Sequence, residues 1–215
     1  MSLITLVIVF FACIILDFIT KGGSAILVGF NSIVVCALGL WQNSIHIGYS
    51  APLTYGLKYA FLGFALGHVV YVFSSLMTNV TPKEILAYMK QSYKIIGYYT
   101  SRPGLFLSFL GMAYFEEILW RAIIQKELIE VMGFSLVGIV ATAAFFTIMH
   151  FKYFDELPIR WLEFSIFSLF LGWVYLETSS LLLVTVIHAV RNIHVTYFGH
   201  WDEEQSSLST FESKT

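Results

Sequence analysis

Charged side chains are scarce in this chain of 215 residues. Asp, Glu, Lys and Arg together make up 12% of it, whereas a soluble domain carries about 25%. The net charge of -2 provides no basic field, which argues against a nucleic-acid partner. The two cysteines, Cys13 and Cys36, lie in separate apolar stretches and lack the CxxC spacing of a metal or redox pair. Apolar residues make up 58% of the chain instead, so we expect most of its surface to face lipid.

Seven apolar stretches are long enough to cross a bilayer, whose roughly 30 Å hydrocarbon core requires about 20 helical residues. They cover residues 3–20, 24–46, 53–77, 103–131, 134–153, 157–176 and 180–198. No Lys or Arg precedes the first stretch, so we interpret it as a transmembrane helix and not as a cleaved signal. The sequence therefore predicts an all-α, polytopic membrane bundle of about seven transmembrane helices. Residues 1–199 form a single domain with a core at 103–199, and the polar tail 200–215 is predicted to be disordered.

One further helix is predicted between the third and fourth spans. Thr81 can cap it, with Pro82 at its first position and Glu84 three residues on. Its apolar residues recur at helical spacing, and its lysines fall elsewhere on the wheel: Ile85, Leu86, Met89, Tyr93 and Ile96, against Lys83, Lys90 and Lys94. This pattern is typical of an amphipathic helix on the membrane surface and equally of a solvated loop helix.

Basic residues lie almost entirely on one side of the seven predicted spans. That side holds Lys21, Lys83, Lys90, Lys94, Arg102, Lys152, Arg160 and Lys214, and the other holds Lys126. Because cytoplasmic loops carry the excess of Lys and Arg, we expect a multi-pass protein of the cell (inner) membrane with its C-terminus in the cytoplasm.

Ionisable residues inside the fourth span form the first candidate site. Arg121 follows Glu117 by four residues, so the two side chains share a helical face and can pair. Glu116 points about 100° away. An ionisable group inside a span costs about 2.5–3.5 kcal/mol at its centre. The unpaired carboxylate of Glu116 is therefore a candidate general base, unless the whole cluster is paired and inert.

Two later spans carry polar residues at the spacing of one helical turn. Phe146 and His150 share a face near the end of the fifth span, and His188 and Asn192 share a face in the seventh. Taken separately, His150 could be an interfacial or packed residue, and His188 and Asn192 could be interhelical hydrogen-bonding residues.

Together the three motifs resemble the CAAX protease and bacteriocin-processing family of intramembrane endopeptidases. The matching residues are Glu116, Glu117 and Arg121, then Phe146 and His150, then His188 and Asn192. The resemblance covers roughly residues 103–199. It implies that Glu116 activates a water molecule, that His150 orients this water, and that His188 and Asn192 face the substrate carbonyl. Glu117 and Arg121 would brace the helix, and Phe146 would pack beneath His150.

The resemblance leaves alternatives open. We expect no cofactor, but zinc held by Glu116, His150 and His188 is the alternative chemistry. The expected partners are membrane lipid and a peptide or protein with a membrane-embedded or lipidated segment. The competing functions are a non-catalytic membrane binding or immunity protein and a proton-coupled carrier. A scaffold has no need of Glu116, and no paired halves with broken helices are seen in the sequence.

Overall fold

The structure is a computed structural model that describes residues 53–78, 80–150 and 158–212, with side chains described from Thr54 to Phe198. This part of the chain contains helices and no strand. In order they are α1 (Leu53–Met77), α2 (Pro82–Thr100), α3 (Pro103–Glu117), a π-helix (Ile118–Gln125), α4 (Lys126–Met132), α5 (Ser135–Met149), α6 (Pro158–Thr178) and α7 (Leu181–Glu212). The first two predicted spans, with Cys13 and Cys36, lie outside the described residues.

Three of the described helices are long and apolar enough to cross a membrane: Thr54–Met77, Pro158–Thr178 and Leu181–Phe198. They coincide with the third, sixth and seventh predicted spans. The fifth predicted span forms the shorter apolar helix Ser135–Met149. The described part of the chain is thus all-helical, with three helices long and apolar enough to span a membrane, and the total of seven spans stays a prediction.

The fourth predicted span is an uninterrupted helical rod whose middle is a π-helix. α3 leads directly into the π-helix, and α4 follows without a break. All eight residues of the π-helix are buried. π-segments are rare and occur frequently at functional sites. Nothing in the local sequence indicated this one, which begins directly after Glu117.

Two glycines let α1 pack closely against α7. A Cβ atom at Gly63 would lie 2.8 Å from Cβ of Val186, and one at Gly67 would lie 2.6 Å from Cβ of Val190. Real side chains do not approach so closely, so both positions require glycine. Gly63 and Gly67 form a GxxxG pattern, which brings transmembrane helices into close contact. This pattern is visible in the sequence itself.

A third glycine sets the approach of α6 to the π-helix. A Cβ atom at Gly172 would lie 2.8 Å from Oε1 of Gln125 and 3.0 Å from Cγ2 of Ile139. The carbonyl of Gly172 accepts a 2.9 Å hydrogen bond from Nε2 of Gln125. The absent side chain thus allows α6 to contact the π-helix directly.

The predicted helix between the third and fourth spans is confirmed as α2. Thr81 caps it, Pro82 occupies its first turn, and Thr81 and Glu84 form the predicted capping box. Its inward face differs from the predicted stripe. Ile85, Ile95 and Tyr99 are buried, whereas the other predicted apolar residues are exposed: Leu86, Met89, Tyr93 and Ile96.

The last helix extends further than the sequence predicts. α7 continues from the apolar part that ends at Phe198 to Glu212, so it includes most of the polar tail for which composition predicts disorder. Glycine and proline are the residues that most often end a helix, and the tail contains neither after Gly199.

Candidate active site

Glu116 lies at the C-terminal end of α3, between two histidines from other helices. Its Oε1 is 3.9 Å from Nε2 of His150, and its Oε2 is 3.5 Å from Nε2 of His188. Glu116 and His150 keep 26% and 21% of their side-chain surface exposed, whereas His188 keeps 2%. Three of the four predicted catalytic residues therefore surround one partly open position.

Glu117 connects two of the predicted motifs. Its Oε2 accepts a 3.0 Å hydrogen bond from Nε of Arg121, as the spacing predicts. Its Oε1 is 2.7 Å from Nδ1 of His188 on α7. Because a carboxylate accepts only, Nδ1 of His188 carries the proton. Glu117 thereby fixes the orientation of the His188 ring, a contact that helical spacing alone does not reveal.

Arg121 extends this buried chain across to α6. It has no exposed surface, and its Nη2 donates a 3.1 Å hydrogen bond to the hydroxyl of Ser168. Glu117, which it pairs with, is likewise fully buried. Removing one partner of such a pair leaves an uncompensated buried charge, so the pair binds the end of α3 firmly to the π-helix.

His150 is held from its own helix. Its Nδ1 donates a 2.7 Å hydrogen bond to the carbonyl oxygen of Phe146, which leaves Nε2 directed at Glu116. The centroids of the two rings lie 4.4 Å apart, and Phe164 contacts both, at 5.1 Å from Phe146 and 4.9 Å from His150. Phe146 thus packs beside His150 as predicted and is fully buried.

Because Nδ1 carries the proton in His150 and His188, Nε2 is the ring atom that each histidine directs towards Glu116. When both rings are neutral, the Nε2 atoms of His150 and His188 carry lone pairs and face a third acceptor, Glu116. Distances of 3.5 and 3.9 Å exceed a direct hydrogen bond. A water molecule placed among these three acceptors could donate a hydrogen bond to two of them at once.

Asn192, the fourth predicted residue, lies one turn beyond His188 on α7 and has a different partner. Its Oδ1 accepts a 3.2 Å hydrogen bond from Nη1 of Arg191. The hydrogen bond that the structure shows for Asn192 is thus with its neighbour in the chain and not with Glu116. It is half-buried and lies on the face of α7 that bears His188.

Arg191 also belongs to a second buried ion pair beside the site. Its Nη2 is 2.9 Å from both carboxylate oxygens of Glu163 on α6. Ser74 on α1 donates a hydrogen bond to the same carboxylate. The sequence placed Glu163 inside a span and Arg191 next to Asn192, but it gave no register between α6 and α7 that would pair them.

The predicted zinc ligands do not form a metal site in this geometry. In the part of the chain that the structure describes, no group of three or more His, Cys, Asp or Glu side chains is placed to hold a metal ion. The set Glu116, His150 and His188 includes two imidazoles at unequal distances from one carboxylate. We therefore derive no step through a metal.

An apolar groove of about 340 Å³ lies between α3 and α7. Its lining is Leu107, Leu110, Gly111, Tyr114, Leu182 and Thr185. The groove thus lies between the two helices that carry Glu116 and His188, and neither of these two residues lines it.

Comparison with known proteins gives one family. Residues 100–194 match the Rce1-like family, described as type II CAAX prenyl endopeptidase Rce1-like. The matched segment contains all seven motif positions, from Glu116 to Asn192, which confirms the resemblance that the motifs indicated. Neither a curated protein nor a solved structure matches the chain.

Proposed function

We propose that this chain hydrolyses a peptide bond within the membrane using a water molecule activated by Glu116. The match of residues 100–194 to the Rce1-like family of type II CAAX prenyl endopeptidases supports this reaction class. The observation that supports this is the placement of the Glu116 carboxylate between the Nε2 atoms of His150 and His188. A scaffold or immunity protein has no requirement for such a cluster.

The reaction needs a base, an acid and a stabilised oxyanion. The water oxygen attacks the carbonyl carbon while Glu116 takes one water proton. Glu116 then returns that proton to the amide nitrogen as the C–N bond breaks, so a carboxylic acid and an amine are released, which ionise to a carboxylate and an ammonium group. His150, held by Phe146, orients the water through its Nε2.

The negative oxygen of the tetrahedral intermediate would lie towards α7. We propose that the His188 ring, which the Glu117 carboxylate holds at 2.7 Å from Nδ1, faces this oxygen and donates to it when Nε2 carries a proton. Asn192 would supply the second donor from its amide. Removing one such donor typically slows a reaction by about 10²–10³.

The substrate would enter through the apolar groove. Its lining is almost entirely hydrocarbon, and it lies between α3 and α7, the helices that carry Glu116 and His188. We propose that the apolar side chain or lipid group next to the scissile bond lies there. Lipid-anchored and membrane-embedded segments both meet this requirement.

The membrane arrangement follows from charge. We propose that α2 lies on the cytoplasmic leaflet, because its lysines are exposed and its outer face presents apolar residues. The C-terminus is then cytoplasmic. Labelling of Tyr153→Cys and Asn43→Cys from either side tests this orientation, and it fails if the two positions label from the same side.

The zinc-dependent version of the same protease is the alternative chemistry, although Glu116, His150 and His188 are not placed as a metal site in the described part of the chain. A chelator assay on the purified protein separates the two chemistries. Full cleavage with metal demonstrably removed supports the glutamate mechanism, and loss that zinc alone restores supports the metal.

The proposed function is tested by comparing peptide termini in membranes that contain active and inactive protein. Glu116→Gln should abolish cleavage while the protein remains folded in the membrane. Glu130→Gln is the matched control, because Glu130 is an exposed carboxylate on the same rod. Cleavage that continues unchanged in Glu116→Gln excludes this base.

A further inference from the structure

Asn192 can assist the proposed reaction only if its amide NH₂ faces the reacting carbonyl. The two ends of a carboxamide have opposite chemistry, since Oδ1 accepts and Nδ2 donates. An Asn that is free to turn would present the wrong end for part of the time. The structure contains a neighbouring residue that determines which end of the amide faces the carbonyl.

That neighbour is Arg191. Its Nη1 lies 3.2 Å from Oδ1 of Asn192. A guanidinium has donors and no acceptor, so it can bind only the oxygen of the amide. Nδ2 must then point away from Arg191.

The side chain of Arg191 is held in a cluster of residues that joins α1, α6 and α7. Its Nη2 binds both oxygens of Glu163 on α6 at 2.9 Å, and Ser74 on α1 donates to the same carboxylate. The guanidinium carbon lies 4.6 Å from the ring centre of Phe167. The side chain is nearly fully buried. Because the guanidinium group is planar and its Nη2 is bound by Glu163, the donors on Nη1 keep a fixed direction.

We infer that Arg191 is a positioning residue, which is fixed by Glu163 and Ser74 and turns the Asn192 amide so that its NH₂ faces the substrate oxyanion. The inference rests on the proposed function for its catalytic consequence, but the orientation of the amide is a property of the resting protein. The alternative role for this cluster is purely structural, as a buried ion pair that joins α6 to α7.

Arg191→Lys is the variant that separates these roles. It keeps the positive charge beside Glu163, which limits the loss of folding. A single ammonium cannot reproduce the two-directional fork that binds Glu163 and Asn192 at once. Arg160→Lys on the exposed side of α6 is the matched control.

The first measurement does not depend on cleavage. The full-length protein is labelled with ¹⁵N-asparagine, whose four sites are Asn31, Asn43, Asn79 and Asn192, and the Asn192 amide signal is assigned by its loss in Asn192→Ala. We expect this signal to shift or broaden in Arg191→Lys and to stay unchanged in Arg160→Lys. An unchanged signal in Arg191→Lys would overturn the inference.

The second measurement is a double-mutant cycle on cleavage. Arg191→Lys should lower kcat by about 10- to 100-fold, less than the loss of a whole oxyanion donor, with KM nearly constant, because the contact acts in the transition state. The double variant Arg191→Lys/Asn192→Ala should be no slower than Asn192→Ala alone. Losses that multiply would show that Arg191 acts independently of Asn192 and would overturn the inference.

The two failures are distinguishable. If Glu116→Gln cleaves at the normal rate, the proposed function is wrong, and the amide signal still decides whether Arg191 orients Asn192. If Glu116→Gln is inactive but the cycle is multiplicative, the proposed function stands and only the role of Arg191 is wrong.

Discussion

Glu117 and His188 lie 71 residues apart in the chain, yet Oε1 of the carboxylate is 2.7 Å from Nδ1 of the imidazole. This contact joins the acidic motif of α3 to the His-Asn motif of α7. It also gives the adjacent carboxylates different tasks, since Glu117 holds His188 and Arg121 while Glu116 stays partly exposed.

Replacing Glu117 by Gln should therefore damage catalysis through His188. The amide is the same size, but it can donate as well as accept, so it no longer fixes the proton on Nδ1. We expect kcat to fall by about 10²–10⁴, the upper end being what a wrong histidine tautomer costs in a serine protease. The measurement is cleavage by the purified variant.

The control for this variant is its folding, because Arg121 loses its charged partner. Thermal unfolding is measured beside cleavage, with Glu130→Gln as the matched carboxylate variant. A Glu117→Gln protein that cleaves at the normal rate would contradict a role for Glu117 in orienting His188.

The groove between α3 and α7 can be filled without disturbing the fold. No atom lies within 4 Å of a Cβ built at Gly111, and the same holds at Gly104 on the same helix. Only Gly111 lines the groove. We expect Gly111→Leu to lower kcat/KM more strongly for substrates with long apolar groups than for short ones, and Gly104→Leu to leave both unchanged. Equal losses for long and short substrates would place the apolar group elsewhere.

The packing of α1 on α7 predicts a stability difference between two glycines. Gly67→Ala places a methyl group 2.6 Å from Val190, and overpacking of this kind costs about 1–3 kcal/mol. At Gly56, on the same helix, nothing lies within 4 Å, so Ala there should be neutral or slightly stabilising. Thermal unfolding in lipid or detergent measures both. Equal effects at the two positions would contradict close packing at Gly67.

The capping box of α2 predicts a pH dependence. Hydrogen bonds from the side chain and then the backbone of Thr81 lower the pKa of the Glu84 carboxyl below its ordinary value of 4.5. A lowered folded-state pKa means that the cap stabilises α2 at pH above the unfolded value and is lost as the pH falls through the folded value. The ¹³C titration of the Glu84 carboxyl should have its midpoint below 4.5, and Thr81→Ala should raise it. A midpoint unaffected by Thr81→Ala would contradict the box.

Local periodicity predicted those parts of the site that depend on one helix. A spacing of four residues places Arg121 on Glu117 and His150 on Phe146, because residues one turn apart share a face. The same reasoning predicted the Thr81 cap. Where an interaction is set within one turn, the sequence was sufficient.

Contacts between helices could not be predicted in the same way. The pairs Glu117–His188 and Glu163–Arg191 depend on how α3, α6 and α7 dock, and periodicity gives the face of each helix but not its register against another. The π-helix, all eight residues of which are buried, was likewise not indicated by the local sequence. Gly63 and Gly67 are an exception, because their GxxxG spacing is visible in the sequence and predicts that two helices pack closely there.

The central claim is that Glu116 activates the water that cuts the peptide bond. It is tested most directly by a single turnover of the purified, metal-analysed protein in H₂¹⁸O, with wild type beside Glu116→Gln. We predict one ¹⁸O in the new carboxylate of the product, none in Glu116, and no cleavage by Glu116→Gln. Label in the Glu116 carboxylate, or cleavage by Glu116→Gln at the wild-type rate, would contradict the account.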